Sequence, residues 1–196
     1  YVLSGYIYHL THRCHDRRFL LRFARDRNQY RQRLREAVLR TKVSLLDYIV
    51  TCNHVHLIVY ADDPGQVAGM MQKAAGEFAR DYNRRKGRSG AFWEGRYFAT
   101  MVEGGQYLWR CLRYVEMNMV RCGVVQHPRQ WPWSGYEEMM GSKKRNRLLD
   151  VSKLLWLLRT DDVDAFRRNL DLALEEAITK RVLMREPMWT EALAVG

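Results

Sequence analysis

The spacing of hydrophobic and polar positions changes period several times along the chain. Residues 3–13 (LSGYIYHLTHR) alternate loosely and are rich in β-formers, which predicts a strand. Residues 17–40 switch to helical spacing, with Phe19, Phe23, Tyr30, Leu34 and Val38 on one side and basic residues elsewhere, which predicts a long Arg-rich helix. Between 43 and 61 (VSLLDYIVTCNHVHLIVYA) two β-rich runs meet at the turn-like Cys52-Asn53, the pattern of a hairpin. Asp62-Asp63-Pro64 reads as an N-cap with proline in the first turn, and Val67, Met70, Met71, Ala74, Phe78 and Tyr82 carry a helix to about residue 86. A Gly-rich basic loop (87–95) precedes a strand at 96–103, and Gly104-Gly105 opens a helix reaching about Arg121.

The order is βαββαβ followed by one more helix. It predicts an α+β fold of the ferredoxin-like, RRM-like split βαβ type: an antiparallel sheet with helices on one face and the first and third strands central. Beyond this unit (1–123) lies an irregular, aromatic-rich connector (124–142) and then a C-terminal helical extension (143–196). The extension opens on a basic run and is predicted to form helices near 150–160 and 162–184 and to end in a frayed tail.

The third strand carries the sharpest chemistry. Side chains alternate faces along a strand. His54, His56, Ile58 and Tyr60 therefore share one face, and the wholly apolar Val55, Leu57, Val59 and Ala61 share the other, which should pack under the helices. Two imidazoles two residues apart, about 6–7 Å at the Cα atoms, can converge on a divalent ion. The alternative is a pair of exposed or hydrogen-bonded histidines. On the last helix of the unit, Leu108, Cys111, Leu112, Val115 and Met119 form the core arc at about 100° per residue. Tyr107, Arg110, Tyr114, Asn118 and Arg121 fall on a neighbouring stripe, with Tyr114 and Asn118 adjacent at i, i+4. A phenol, a carboxamide and guanidiniums together suit a phosphate-handling site, with Tyr114 as nucleophile, Asn118 as an oxygen ligand and arginine holding the phosphate. A tyrosine that merely caps the core is the alternative.

Composition sharpens the partner. Lys+Arg is 33 against 22 Asp+Glu, a net charge of +11, and all but seven of the cations are arginine, the better residue for bidentate phosphate contacts and for stacking on bases. A sequence pI near 9.7 points to a polyanion. The four cysteines are scattered without a C-x-x-C pair, which argues against a zinc ribbon or a disulfide framework and fits a reducing cytoplasm. No run of 18 apolar residues is present, so no membrane-crossing helix is expected. The start at Tyr1, without Met or a signal-peptide pattern, reads as trimmed.

Several ordered motifs then carry a resemblance, running from about residue 5 to 137. They are Tyr8-His9-Leu10-Thr11-His12-Arg13, Cys52-Asn53-His54-Val55-His56-Leu57, Phe92-Trp93-Glu94-Gly95-Arg96-Tyr97, Tyr114-Val115-Glu116-Met117-Asn118-Met119-Val120-Arg121-Cys122-Gly123 and Trp131-Pro132-Trp133-Ser134-Gly135-Tyr136. In them the chain resembles the REP-associated tyrosine transposases, members of the HUH single-tyrosine superfamily related to insertion-sequence transposases. The resemblance implies that His54 and His56 bind Mg²⁺ or Mn²⁺, with Asn118 as the third ligand. It also implies that Tyr114 attacks a DNA phosphate and leaves a 5′-phosphotyrosine link and a free 3′-OH. The implied partner is single-stranded or hairpin DNA at repetitive extragenic palindromes, and the implied setting a nucleoid-associated monomer. Met119 and Cys122 depart from the family's Pro and Ala, and Cys52 from its Pro; none removes a catalytic group, though losing the proline at Met119 should let the helix run on.

The expected DNA contacts are Arg13, Arg84, Arg85, Lys86, Arg88, Arg96, Arg110, Arg121, Lys143, Lys144 and Arg145. Phe92, Trp93 and Tyr97 would offer stacking surfaces, as in single-strand binders, unless the first two serve the core. Two rivals remain. One is a non-catalytic RRM-like nucleic-acid-binding protein, which would expose aromatics on its central strands where this chain places histidines. The other is a two-histidine phosphoesterase, for which His9-Leu10-Thr11 supplies only one of two required H-x-T/S motifs.

Overall fold

The computed structural model describes residues 3, 5–181 and 186–195. The expected passage of the first strand through Ser4 and the end of the last predicted helix at 182–184 lie outside them. The sheet is built from β1 (Tyr6–Arg13), β2 (Ser44–Val50), β3 (His54–Ala61), β4 (Phe98–Val102) and β5 (Ala194–Val195), in the order β2-β3-β1-β4-β5. β1 and β3 are central as expected, and every pairing is antiparallel except β4–β5. The expected frayed tail is instead this fifth strand, preceded by a short helix, α9 (Met188–Glu191), whose Trp189 is fully buried.

Against one face lie α1 (Ala24–Thr41), α2 (Pro64–Met71) and α3 (Phe78–Lys86), the last two joined through a π-helical stretch at Gln72–Glu77. Asp63 caps α2 by accepting a hydrogen bond from the Gly65 N–H at 2.8 Å. Val55, Leu57, Val59 and Ala61 face these helices and join one apolar cluster with Tyr30, Leu34, Met70 and Phe78. Phe19 and Phe23 do not belong to it. α1 begins only at Ala24, and the two rings, expected on its core side, stand 66% and 57% exposed.

The other face is closed as well. α4 (Gln106–Glu116), α5 (Asn118–Arg121), α6 (Tyr136–Met139), α7 (Val151–Leu157), α8 (Val163–Thr179) and α9 contribute to a second cluster with Ile7, Ile49 and Ile58. Helices therefore cover both sides of the sheet rather than one, because the connector and the extension add a second layer to the ferredoxin-like frame. The expected single helix to Arg121 is broken at Met117, where ψ rises to −2°. The chain turns at Gly123, whose φ of +67° suits glycine, so removal of the proline at Met119 does not prolong the helix.

Candidate active site

The β1–β3 register decides which side chains can meet. Thr11 pairs with His56 and His9 with Ile58, which puts His9, Thr11, His54 and His56 on the face beneath α4. His54 begins β3 at the turn and is half-buried, whereas His56 is 2% exposed. Their rings lie 4.8 Å apart at 84°.

Each imidazole is held by its Nδ1. His54 Nδ1 is 2.8 Å from Asn53 Oδ1 and 3.0 Å from Thr51 Oγ1. A carboxamide oxygen only accepts, so Nδ1 carries the proton and Nε2 the lone pair. His56 Nδ1 lies 2.9 Å from His9 Nε2 and 3.1 Å from Thr11 Oγ1. His9 Nδ1 in turn is 2.7 Å from the Trp189 carbonyl and must donate to it. Burial pushes His9 down to about 4, against the opposing pull of the Trp189 bond, so its ring is neutral. Neutral His9 offers Nε2 to the His56 Nδ1–H, which leaves His56 Nε2 as that ring's lone pair. Burial first, and then the neighbouring His54, His9, Arg121 and Arg13, depress His56 well below the ordinary histidine range.

Tyr114 and Asn118 arrive from the broken helix. Neither sits on a solvent-facing stripe: they are 5% and 6% exposed, because the connector and the extension fold over that side. The Tyr114 ring is 5.7 Å from His56, 5.9 Å from His9 and 6.1 Å from Trp189, and the Arg121 guanidinium stands 4.3 Å over it. Burial lowers the Arg121 pKa from its ordinary value. Asn118 Nδ2 reaches to 3.4 Å from His54 Nε2, and its Oδ1 is buried without a hydrogen-bond partner. An orphaned carboxamide oxygen beside two imidazole lone pairs is a donor set of the type a divalent cation takes. Among the described residues no group of three His, Cys, Asp or Glu side chains could hold a metal; the third polar group beside the two histidines is an asparagine.

The expected DNA-contacting cations divide. Lys86, Arg96, Lys144 and Arg145 are exposed, as is Arg84 despite an ion pair to Asp81 at 3.0 Å. Arg85 is paired with buried Asp26, Arg88 with the Asn83 side chain and the Ala91 carbonyl, Arg110 with Glu186 at 3.2 Å and Lys143 with buried Glu138 at 2.6 Å. Arg13 stands opposite His54 in the register. Phe92 and Trp93 belong to the core, at 3% and 9% exposure; Trp93 donates to the Ala75 carbonyl at 2.9 Å and stacks on His12 at 4.2 Å, and Tyr97 is half-buried beside them.

The model of the IS200-like transposase family matches residues 2–118, more than half of the chain and all of His54, His56, Tyr114 and Asn118. The chain belongs to the IS200-like transposase family. At the sequence level no individual curated protein matches it. Its fold is similar to the solved structure of a REP-associated tyrosine transposase bound to a REP hairpin, with a TM-score of 0.59 and 16% identity over 77% of this chain and 90% of that one. A Deinococcus radiodurans R1 protein assigned as a transposase matches less well, with a TM-score of 0.43 and 18% identity over 52% of this chain and 82% of that one.

Two contacts around these residues escape a reading by motif. His9 and Thr11 are visible in the first strand, but their contact with His56 depends on register. Trp189 lies in a segment that no motif reaches; its one signal is a tryptophan in an otherwise featureless tail.

Proposed function

We propose that this transposase is a metal-dependent single-strand DNA endonuclease and strand-transfer enzyme that acts on hairpin DNA through Tyr114. What supports the reading is the meeting of Tyr114 and Asn118 with His54 and His56, drawn from three elements and lying within the family match. Hairpin DNA as substrate rests on the +11 charge and on the structural neighbour, which was solved with a REP hairpin.

The residues divide the work. His54 Nε2, His56 Nε2 and Asn118 Oδ1 would hold Mg²⁺ or Mn²⁺. Such an ion, when bound, neutralises charge on the phosphodiester and polarises it. Tyr114 Oη attacks phosphorus, the bond from phosphorus to the 3′ oxygen breaks, and that oxygen leaves to become a 3′-OH. The downstream strand stays on the enzyme as a 5′-phosphotyrosine ester. Attack by another 3′-OH reverses the step and rejoins strands, which simple hydrolysis could not do. Arg121 keeps a positive charge against the tyrosine throughout. The Trp189–His9–His56 chain of hydrogen bonds fixes the His56 tautomer with Nε2 free.

The RRM-like alternative needs an open sheet face for base stacking. Here α4 and the buried Trp189 lie over the central strands. The deciding experiment is covalent capture. With Mn²⁺ and a hairpin oligonucleotide the enzyme should gain the mass of the fragment 3′ of the cut, mapped to Tyr114. Tyr114→Phe should bind the hairpin and form no adduct. An adduct on Tyr107, or nicking by Tyr114→Phe at the wild-type rate, would overturn the assignment.

A further inference from the structure

The aromatic surface expected at Phe92 and Trp93 is core, while the loop joining β1 to α1 exposes Phe19 and Phe23. This loop is bolted to the turn that carries His54. The Cys14 N–H donates to the Asn53 carbonyl at 2.8 Å and the Leu21 N–H to the Cys52 carbonyl at 2.9 Å. Asn53 Nδ2 donates to the Arg17 carbonyl at 3.1 Å, while the same carboxamide's Oδ1 holds His54 Nδ1. From beneath, the buried Arg27 guanidinium donates to the Leu21 and Arg22 carbonyls at 2.9 and 2.7 Å. Leu20 and Leu21 are buried as anchors. The loop is therefore fixed in place, and its outward residues are presented rather than left over.

Those outward residues have one character. Arg17, Arg18, Arg22 and Arg25 are all exposed, and Lys86 Nζ stands 5.3 Å from the Phe23 ring. Of the acids nearby, Asp26 is buried against Arg85, and Asp16 lies 3.3 Å from the His15 imidazole. Asp16 and Arg17 both adopt a left-handed backbone, with φ of +53° and +54°, at residues that are not glycine. Consecutive strained residues in a well-anchored loop mark a shape held for a purpose.

We propose that this loop is a binding platform for single-stranded DNA beside the metal site. Phe19 and Phe23 stack on unpaired bases, and Arg17, Arg18, Arg22, Arg25 and Lys86 hold the phosphates between them. The inference rests on the DNA-transposase reading and adds where the unpaired strand lies. Exposed rings among cations suit single strands, whose bases offer π-faces; a duplex presents only groove edges and phosphates. The net charge of +11 favours a polyanion over a protein partner at this patch. A strand seated here is delivered to the turn bearing His54.

The test compares two probes by fluorescence anisotropy: a blunt hairpin, and the same stem with single-stranded extensions at both ends. Phe19→Ala and Phe23→Ala should each weaken the tailed probe roughly tenfold and leave the blunt one within about twofold, a loss in the range of one base–aromatic stack. Phe19→Trp should keep wild-type affinity, and its fluorescence should be quenched by the tailed probe alone. Arg18→Ala with Arg22→Ala should lower the salt slope for the tailed probe by about 0.7 per lost contact. Both rings are exposed, so melting curves should be unchanged. Alanine variants that bind the tailed probe as wild type does, or that lose equally on both probes, would overturn the platform. Covalent adduct formation by the wild type is scored separately. If it fails while the tail-specific losses persist, the catalytic reading falls and the platform stands; if the adduct forms and the losses are missing, only the platform falls.

Discussion

Along β3, neighbouring residues sit in opposite surroundings at the same depth. Val55, Leu57 and Val59 are fully buried against the apolar cluster under α1–α3. His56, between two of them in sequence, is 2% exposed on the other side and meets Thr11, His9 and, through His9, the Trp189 carbonyl. The dry face needs only apolar shape from its neighbours. The wet face needs specific acceptors at specific atoms, since an unpaired buried polar group carries the full cost of its lost water. Both faces bury apolar groups, Ile58 among them on the second; that second face also holds His9, Thr11 and His56, which packing alone would not select.

The largest expected effect breaks the wet face. His54→Ala should reduce Mn²⁺-dependent nicking by more than about a thousandfold, since it would remove a ligand of the proposed metal site, needed for charge neutralisation. Its half-exposed position keeps the melting temperature near that of wild type. His56→Ala should be as inactive but should also melt lower, because it opens a gap in buried surroundings and strands the His9 Nε2. Wild-type nicking by either variant would remove the metal assignment. Leu57→Ala breaks the dry face instead. It should cost roughly 2–5 kcal/mol of unfolding free energy by urea titration, with nicking per folded molecule retained at low temperature. A loss of nicking without loss of stability would mean the two faces are not separable.

How far this was legible in the sequence follows the same division. Alternation alone placed Val55, Leu57, Val59 and Ala61 under helices, and the βαββαβ order placed β1 and β3 at the centre; both hold. The H-x-H spacing and the Tyr114–Asn118 pair led to the residues that meet. The periodicity of α1 misled at Phe19 and Phe23, because helical spacing continues into a loop whose course is set by hydrogen bonds to Cys52 and Asn53. Helical spacing places Tyr114 on a stripe beside the core arc, and its burial was not legible because a helix's own arc cannot report the layer that the connector and Trp189 add over it. The parallel pairing of β5 with β4, and the Trp189 carbonyl under His9, are contacts between chain ends that no local pattern encodes.

A third prediction sharpens the comparison through His12, which lies on the dry face. Its ring stacks on Trp93 and Nε2 donates to the Gly95 carbonyl at 3.0 Å, while Nδ1 is buried without a partner. Burial, opposed by the Gly95 bond, pushes its pKa from 6.5 to about 4. The unfolded chain therefore takes up this proton more readily. The stability is fully present above pH 6.5 and is lost as pH falls toward 4, by up to roughly 3 kcal/mol. His12→Phe keeps a ring on Trp93 and leaves the exposed Gly95 carbonyl to water. Its unfolding free energy should fall less steeply between pH 6.5 and 4 than that of wild type, while His9, shifted the same way, preserves part of the slope. Parallel curves for the two proteins would contradict the assignment to His12.

The smallest expected effect lies at His9, where the two kinds of surroundings can be told apart within one residue. His9 is fully buried, so any substitution perturbs packing; His9→Phe keeps a ring of similar size and removes both hydrogen bonds. If His9 only fills space, this variant should bind metal as wild type does and differ in melting temperature alone. If it orients His56, the Nδ1–H of His56 loses its acceptor and the ring can turn or change tautomer, which hides the Nε2 lone pair. Removing a partner that orients a metal-binding histidine typically costs about 10- to 100-fold in metal affinity. Mn²⁺ affinity of the chain, read by electron paramagnetic resonance without DNA, should fall by that amount, and nicking should recover as Mn²⁺ is raised. Tyr114→Phe is the control, since it should lose adduct formation and keep Mn²⁺ affinity. Thr11→Val supplies the gradation: it removes the 3.1 Å contact to His56 Nδ1 but leaves His9 in place, so its affinity should lie between wild type and His9→Phe. Unchanged Mn²⁺ affinity in His9→Phe would return His9 to the core and leave His56 oriented by Thr11 alone.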